Sequence, residues 1–251
     1  MNTVEFGKEN GQVILLLHGG GLSWWNFEQV ARLLEREFHV VLPILDGHAG
    51  SDRAFTTIED NAQAVIDEID RRFGGKVCFM GGVSLGGQIL AEVLSRRSNI
   101  CRNALLESTA LLPTRLTRLL VRPMLACSYG LIRRPWFSKL QARSMGIPEE
   151  LQGDYYRDSC AISKESMTAF LQASSSYRLK GSIKKTAARL VLIVGGREPS
   201  VVIRSGRHLH RLIPESSLEI IRGLRHGELS LGRPTQYAEW VRTAAKPILE
   251  E

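Results

Sequence analysis

The stretch Lys76-Val77-Cys78-Phe79-Met80-Gly81-Gly82-Val83-Ser84-Leu85-Gly86-Gly87 decides how the whole chain is interpreted. Its apolar run, residues 77–80, is typical of a buried strand, and residues 84–97 are predicted to form a helix. A glycine-rich turn joins these two elements directly. A buried strand that leads through a tight turn into a helix indicates a sheet whose faces are covered by helices.

The same alternation of strand and helix continues along the chain. Predicted strands cover residues 12–17, 38–42, 77–80, 103–106, 189–194 and 217–221. Predicted helices cover residues 24–37, 58–73, 84–97, 200–212 and 235–245. Because strands that alternate with helices imply right-handed crossovers, the sequence predicts an α/β fold with a mostly parallel central sheet and helices on both faces.

Residues 112–186 interrupt this alternation because they contain no convincing strand. Helices are predicted near residues 114–124, 135–143, 148–160 and 163–179. Thr114 and Ser163 are the expected N-caps, and Pro148 suits a first helical turn. We therefore expect a helical cap, or lid, over residues 112–186, inserted between two parts of one core, residues 1–111 and 187–251.

Positive charge is concentrated in the early part of the expected cap. The chain carries 33 Lys and Arg against 26 Asp and Glu, a formal net charge of +7. Residues 108–148 contain no acid and seven basic residues: Arg115, Arg118, Arg122, Arg133, Arg134, Lys139 and Arg143. The other 26 basic groups (33 − 7) balance the 26 acidic ones, so no nucleic acid is expected as a partner. Arg115 and Arg133 are candidates for binding an anionic substrate group, and an anionic membrane surface or a plain solvated face are the alternatives.

The segment Gly82-Val83-Ser84-Leu85-Gly86 matches the pattern G-x-S-x-G in the setting that this pattern requires, between a buried strand and a helix. The turn exposes the Ser84 hydroxyl at the carboxyl end of the sheet, and the helix N-terminus favours developing negative charge there. Ser84 is therefore the candidate nucleophile. The alternative is a nucleotide-binding turn in which Ser84 only caps the helix, but the chain has no matching G-x-G-x-x-G or G-x-x-x-x-G-K-[ST] motif.

A second glycine turn, His18-Gly19-Gly20-Gly21, ends the first predicted buried strand. Backbone amides in such a turn can approach a developing oxyanion closely. The amides of Gly20 and Leu85 are the expected donors, and Gly21 is a further substrate-binding candidate. A plain strand-ending turn is the alternative. Trp24 follows the turn and is a candidate for the border of the substrate pocket, or else a core residue at a helix start.

A serine nucleophile needs a base, and the chain has six histidines. His226 is the candidate base because it follows the last predicted strand, where loops gather at the active end of such a sheet. The base needs an orienting carboxylate, and Glu198 follows the strand predicted at residues 189–194. Glu107, at the end of the strand predicted at residues 103–106, is the rival acid.

Together these motifs resemble the α/β-hydrolase superfamily over almost the whole chain. They include Asp46-Gly47-His48-Ala49-Gly50-Ser51, which is similar to the family's D-x-x-G-x-G-x-S turn, and the chain order Ser84, Glu198, His226. The resemblance implies a capped, carboxylesterase-like serine hydrolase that acts on a small ester or acyl substrate. It implies no metal ion and no organic cofactor.

The chain departs from the family pattern at three places. Val83 stands where many members carry a polar residue, and Glu198 replaces the more usual Asp. At most one short strand, residues 3–6, precedes the strand at residues 12–17, so the sheet could lack the first antiparallel strand of larger members. The same triad could also serve C–C bond, thioester or amide hydrolysis or lyase chemistry, and a non-catalytic ligand-binding protein is a further alternative.

The cysteines and the N-terminal residues indicate in which cellular compartment the protein is expected. Cys78, Cys101, Cys127 and Cys160 are far apart and form no CxxC pair, so we expect free thiols in a reducing compartment. Residues 1–10 are polar and lack an apolar signal core, and no nearby apolar run is long enough to span a bilayer. We expect a cytoplasmic protein without stable membrane insertion. The sequence does not determine its oligomeric state.

Overall fold

The central sheet of the computed structural model, which describes residues 1–245, is built from strands in both predicted parts of the core. The strands are β1 (Thr3–Phe6), β2 (Val13–Leu17), β3 (His39–Pro43), β4 (Val77–Val83), β5 (Cys101–Glu107), β6 (Arg189–Gly195) and β7 (Ser217–Ile221). They form one seven-stranded sheet in the order β1-β3-β2-β4-β5-β6-β7. Among the strands of the described residues, only the β1–β3 pair is antiparallel, which confirms a mostly parallel sheet.

Helices connect the strands and cover the sheet. They are α1 (Glu28–Leu34), α2 (Ile58–Phe73), α3 (Leu85–Arg96), α4 (Arg115–Ile132), α5 (Pro135–Ser144), α6 (Gln152–Ala161), α7 (Lys164–Ser176), α8 (Ser200–Leu212), α9 (Glu228–Gly232) and α10 (Pro234–Ala245). Short 3-10 turns occupy Trp24–Phe27, Glu149–Leu151 and Gly181–Lys185. None of the helices in residues 1–245 is long and apolar enough to cross a membrane.

Both faces of the sheet bury apolar side chains, which confirms the predicted layers of helices. Successive residues of a strand point to opposite faces. In β2, Leu15 and Leu17 pack in a cluster with residues of α2 and α3. Ile14 and Leu16 pack on the other face, in a cluster with residues of α1 and α10. The uninterrupted apolar run of β2 is therefore the signature of a strand buried on both faces.

The strand before Ser84 is longer than the sequence predicts. The glycines after Met80 were expected to form the turn, but β4 continues to Val83 and pairs with β2 through Gly81 and Gly82. A side chain at Gly81 would lie about 2.7 Å from the Leu16 Cδ2 methyl. These glycines thus allow close packing inside the sheet, and the turn itself is confined to Ser84.

Other boundaries also differ from the predictions. The helix expected at residues 24–37 is a 3-10 turn followed by α1, and it ends at Leu34, where the amide of Phe38 closes the last turn. Thr114 does not cap α4, because its hydroxyl donates to the Ser175 carbonyl instead. Pro148 precedes a 3-10 turn, and α6 begins only at Gln152. Ser163 is confirmed as the N-cap of α7, since its side chain accepts from the amide of Ser166.

The chain between β5 and β6 is helical and contains no strand. It holds α4 to α7 and packs onto the sheet mainly through α7, whose Met167 and Phe170 join the cluster around α2 and α3. Tyr155 of α6 lies in a smaller cluster with Trp25. The Trp25 indole donates to Asp158 at 2.7 Å and ties α6 to the core. The domain boundaries at residues 112 and 186 remain predictions.

Candidate active site

Ser84 occupies the turn between β4 and α3 in a backbone conformation that is rare for residues other than glycine. Its φ is 53° and its ψ is −111°. Such a conformation costs about 1–3 kcal/mol and persists only where neighbouring contacts fix it. Here the Ser84 amide donates to the Glu107 carbonyl at 2.9 Å, and the Ser84 carbonyl accepts from the Gln88 amide at 3.0 Å. The turn is thus fixed to β5 on one side and to α3 on the other.

Glycines on both sides of Ser84 let the turn lie against its neighbours. A Cβ at Gly86 would overlap the carbonyl oxygen of Leu17 and lie 2.6 Å from that of His18. A Cβ at Gly82 would lie 2.5 Å from the Gly86 carbonyl oxygen. Because these obstacles are backbone atoms, they cannot move aside as a flexible side chain would. The G-x-S-x-G spacing is therefore required by close packing at the end of β2.

Ser84, His226 and Glu198 form a continuous hydrogen-bonded chain. Ser84 Oγ lies 2.9 Å from His226 Nε2, and His226 Nδ1 lies 2.7 Å from Glu198 Oε2. With the proton on Nδ1, the ring donates to the carboxylate and accepts from the serine hydroxyl. Glu198 follows β6, His226 follows β7, and Ser84 follows β4, so the carboxyl ends of three strands bring the groups together. The structure thus assembles the three residues that the sequence analysis selected.

The two acidic candidates have different surroundings. The Glu198 carboxylate is fully buried and bonds His226, whose side chain is 45% exposed. Glu107 is also fully buried, but its Oε1 accepts from the amides of Leu229 and Ser230 at 2.9 and 3.2 Å. Burial raises the pKa of Glu107 to about 7, although the hydrogen bonds from this segment partly oppose the shift. Glu107 therefore holds the start of α9 rather than the histidine ring.

Ser108 is a positioning residue that the sequence analysis missed. Within residues 1–245, Ser108 is the one non-glycine residue besides Ser84 with a positive φ, 52°. Its hydroxyl accepts from the Gly227 amide at 3.0 Å, directly after His226 in the chain. Its own amide donates to the Ile193 carbonyl of β6 at 2.9 Å. Its place at the carboxyl end of a parallel strand, next to Glu107, was the available signal.

The environment of His226 raises its pKa above 6.5. The partial burial of the ring would by itself lower the pKa, because it disfavours the imidazolium. The hydrogen bond to Glu198 and the negative charges of Glu198 and Glu107 favour the imidazolium more strongly. A ring that holds a proton more readily than free histidine suits a base that must accept one from a serine hydroxyl.

Two other histidines near the site are held neutral. His18 and His48 are buried and pack edge to face at 5.0 Å. Burial lowers the pKa of His18 to about 3 and that of His48 to about 4. His18 accepts from the amide of Leu45 at 3.1 Å and so connects the glycine turn to the segment after β3. Among the hydrogen bonds of residues 1–245, neither ring bonds Ser84, whereas His226 does.

The glycine turn after β2 lies beside the start of α3. The Gly19 amide donates to Asn26 Oδ1 at 3.1 Å, whereas the Gly20 amide has no acceptor among the hydrogen bonds of residues 1–245. A Cβ at Gly20 would lie 3.5 Å from the Leu85 Cδ2 methyl. As the first residue of α3, Leu85 has an amide without an intrahelical acceptor. Two unsatisfied amides thus flank the region next to Ser84.

The residues proposed from the sequence for substrate binding are more widely spaced than the three residues of the hydrogen-bonded chain. Gly21 has a φ of 79° and open space where a Cβ would stand. Trp24 is half-buried and packs against two core clusters. Arg115 begins α4 and Arg133 follows its end, about 27 Å apart at 1.5 Å per residue, and both are exposed. One small anionic group can therefore contact at most one of these two arginines.

Comparison with known proteins identifies the family. The model described as "Alpha/beta hydrolase family" matches residues 14–240. The chain belongs to this family and is a hydrolase. The expected resemblance is thereby confirmed.

Solved structures from several organisms share the fold. An esterase from Exiguobacterium antarcticum has a TM-score of 0.81 at 20% identity, covering 98% of this chain and 95% of that chain. A thermophilic esterase from Thermogutta terrifontis has a TM-score of 0.77 at 17% identity, covering 98% and 94%. A bromoperoxidase from Bacillus anthracis has a TM-score of 0.81 at 16% identity, covering 98% and 95%. At these identities the likeness shows the fold alone.

The close packing at Ser84 predicts unequal costs for two glycine substitutions. Gly86→Ala should destabilise the protein by about 1–3 kcal/mol, because its methyl group meets the backbone of β2. Gly153→Ala should be neutral or stabilising by up to about 1 kcal/mol, because this glycine lies in α6 with open space around it. Urea unfolding of both variants measures the difference. Equal stabilities would contradict the packing argument.

Proposed function

We propose that this hydrolase cleaves small carboxylic esters by acyl transfer through Ser84, His226 and Glu198. The single observation that carries the proposal is the hydrogen-bonded chain from Ser84 Oγ through the His226 ring to Glu198 Oε2. The names of structurally similar proteins, two of which are esterases, also favour ester substrates. A cytoplasmic location stays part of the proposal, and the free state of all four cysteines agrees with it.

The geometry suggests the order of proton transfers. In the first half-reaction, Ser84 Oγ attacks the ester carbonyl carbon while His226 Nε2 takes the hydroxyl proton. The same nitrogen then gives this proton to the leaving alkoxide, so the alcohol departs and an acyl group stays on Ser84. In the second half-reaction, His226 takes a proton from water, and the hydroxide attacks the acyl carbon. His226 then gives this proton to Ser84 Oγ as the bond from that oxygen to the acyl carbon breaks, so the carboxylic acid leaves and both side chains are restored. Glu198 keeps the proton of Nδ1 in place throughout.

The oxyanion needs donors that are already in position. We assign this role to the amides of Leu85 and Gly20, which lie in adjacent turns beside Ser84. Removing one such donor typically raises the barrier by about 3–4 kcal/mol. Each step uses side chains, backbone amides and water, so the proposed reaction requires no metal ion or organic cofactor.

Helix α7 borders the oxyanion end of the site. The Phe170 ring would lie 3.3 Å from a Cβ at Gly20, and it stacks on His48 with ring centroids 4.8 Å apart. An aromatic wall at this point favours substrates with an apolar acyl group. A panel of soluble p-nitrophenyl esters of increasing acyl length tests the substrate class, with thioesters and amides of the same acyl groups as competitors. Turnover of a thioester or an amide above every ester would overturn the ester assignment.

Three substitutions test whether Glu198 or Glu107 is the acid of the proposed triad. Ser84→Ala should lower kcat for a soluble ester by about 10⁶-fold, and Glu198→Gln by about 10³–10⁴-fold. Glu107→Gln should stay within about tenfold of the native enzyme, because its amide oxygen can still accept from the Leu229 amide. Steady-state kinetics with matched circular dichroism spectra checks the order. A loss for Glu107→Gln that exceeds the loss for Glu198→Gln would make Glu107 the triad acid.

The raised pKa of His226 determines the direction in which kcat/KM changes with pH. Because only the neutral ring can accept the serine proton, kcat/KM should fall as the pH drops, with a midpoint above 6.5. In Glu198→Gln the residual activity should show this midpoint at lower pH, because the bond and charge that favour the imidazolium are lost. Glu107→Gln, which removes only a more distant charge, should shift the midpoint less. An unchanged midpoint in Glu198→Gln would contradict the proposed pair.

A further inference from the structure

The expected cap exposes an unusual amount of apolar surface. Nine large apolar side chains of residues 1–245 are exposed, and seven of them lie between residues 116 and 140. The most exposed are on α4 and α5: Leu116 (71%), Leu119 (73%), Leu120 (52%), Met124 (52%), Trp136 (63%) and Leu140 (59%). Single exposed leucines are ordinary on a protein surface, but a concentration on two adjacent helices indicates a surface that meets a partner.

Helix α4 has two apolar faces. Val121 and Leu125 are buried and pack into the core. Leu116, Leu120 and Met124 recur at intervals of four residues, so they form a stripe that shares one side of the helix. This outer stripe is exposed, whereas the inner face already holds the helix against α7. The outer stripe therefore requires a separate explanation.

Cations lie beside this apolar surface. Arg115, Arg118 and Arg122 follow one another along α4 at intervals of three and four, and Lys139 and Arg143 do so along α5. Residues 108–148 contain no acid that could balance them. Within the described part of the chain, none of these five side chains forms an ion pair. The surface therefore combines exposed leucines and a tryptophan with uncompensated positive charge.

We propose that α4 and α5 dock the protein on the surface of an anionic lipid bilayer. Apolar side chains of such helices enter the boundary between headgroups and acyl chains, while Arg and Lys stay at the level of the anionic headgroups. A nucleic acid would match the charge but offers nothing comparable to the leucines. A second copy would match the leucines but would bring two sets of seven cations together. An anionic bilayer complements both properties.

Docking on lipid would be peripheral and independent of the acyl transfer proposed above. The Ser84→Ala variant should therefore bind vesicles as the native protein does. If docking fails while ester turnover is intact, only the present proposal is overturned. If turnover fails while docking persists, the proposed function is overturned instead.

The first experiment is co-sedimentation with vesicles. The native protein should bind vesicles of phosphatidylcholine with about one third phosphatidylserine, and binding should weaken as salt is raised. The triple variant Arg115→Gln/Arg118→Gln/Arg122→Gln should bind at least about tenfold more weakly, since each cation near an anionic surface contributes about fivefold. A charge-matched control removes three exposed arginines from α8: Arg204→Gln/Arg207→Gln/Arg211→Gln.

The control decides whether docking is specific to α4. Native-like binding of the α8 variant supports the proposal. Equal losses of vesicle binding in the two triple variants would show that net charge alone causes the binding, and this would overturn the proposal. Equal binding to pure phosphatidylcholine, or no binding to the anionic vesicles, would also overturn it.

The second experiment tests the apolar contact. Lipids brominated in the acyl chain should quench the fluorescence of Trp136, and this quenching should be lost in Trp136→Phe. Leu116→Ser/Leu119→Ser keeps every cation and should still weaken vesicle binding severalfold, with an unchanged circular dichroism spectrum. Full binding by the double serine variant, tighter binding to a short DNA duplex than to vesicles, or a lipid-free dimer that the serines dissolve would each contradict bilayer docking.

Discussion

The end of β5 is the point on which the geometry of the site depends. The Glu107 carbonyl fixes the Ser84 amide, while the Glu107 carboxylate and the Ser108 hydroxyl hold the segment that follows His226. Ser84 and His226 are 142 positions apart in the chain, yet Ser84 bonds Glu107, and the segment after His226 bonds both Glu107 and Ser108. One short piece of backbone therefore helps to hold Ser84 Oγ and His226 Nε2 at a separation of 2.9 Å. These contacts also account for a fully buried acid that does not bond the His226 ring.

Much of this arrangement follows from the sequence alone. The alternation of apolar runs and amphipathic stretches was sufficient for the central strands of the sheet and its covering helices, because strands buried on both faces leave short continuous apolar runs. The G-x-S-x-G turn, His226 and Glu198 could be selected because parallel strands deliver their following loops to one edge of the sheet. The resulting hydrogen-bonded chain joins these three selected residues.

The remaining features depend on contacts between segments that are distant in sequence. Glycines inside β4 looked like a turn, because nothing local shows that a leucine methyl of β2 requires the space. Thr114 looked like a helix cap, but the Ser175 carbonyl competes for its hydroxyl. Ser108 escaped selection because its role depends on an amide that lies more than a hundred positions later. The two apolar faces of α4 can likewise be told apart only from the burial of their side chains. The excess positive charge of the chain lies on this surface rather than in the site.

The most direct test of the central claim is labelling by a fluorophosphonate probe, followed by mass spectrometry of the modified peptide. A serine activated by the His226 ring should attack the probe, so the account predicts one adduct per chain, located on Ser84. Prior alkylation of histidine, or the Glu198→Gln substitution, should slow the labelling. A folded protein that does not label, or an adduct on a serine other than Ser84, would contradict the account.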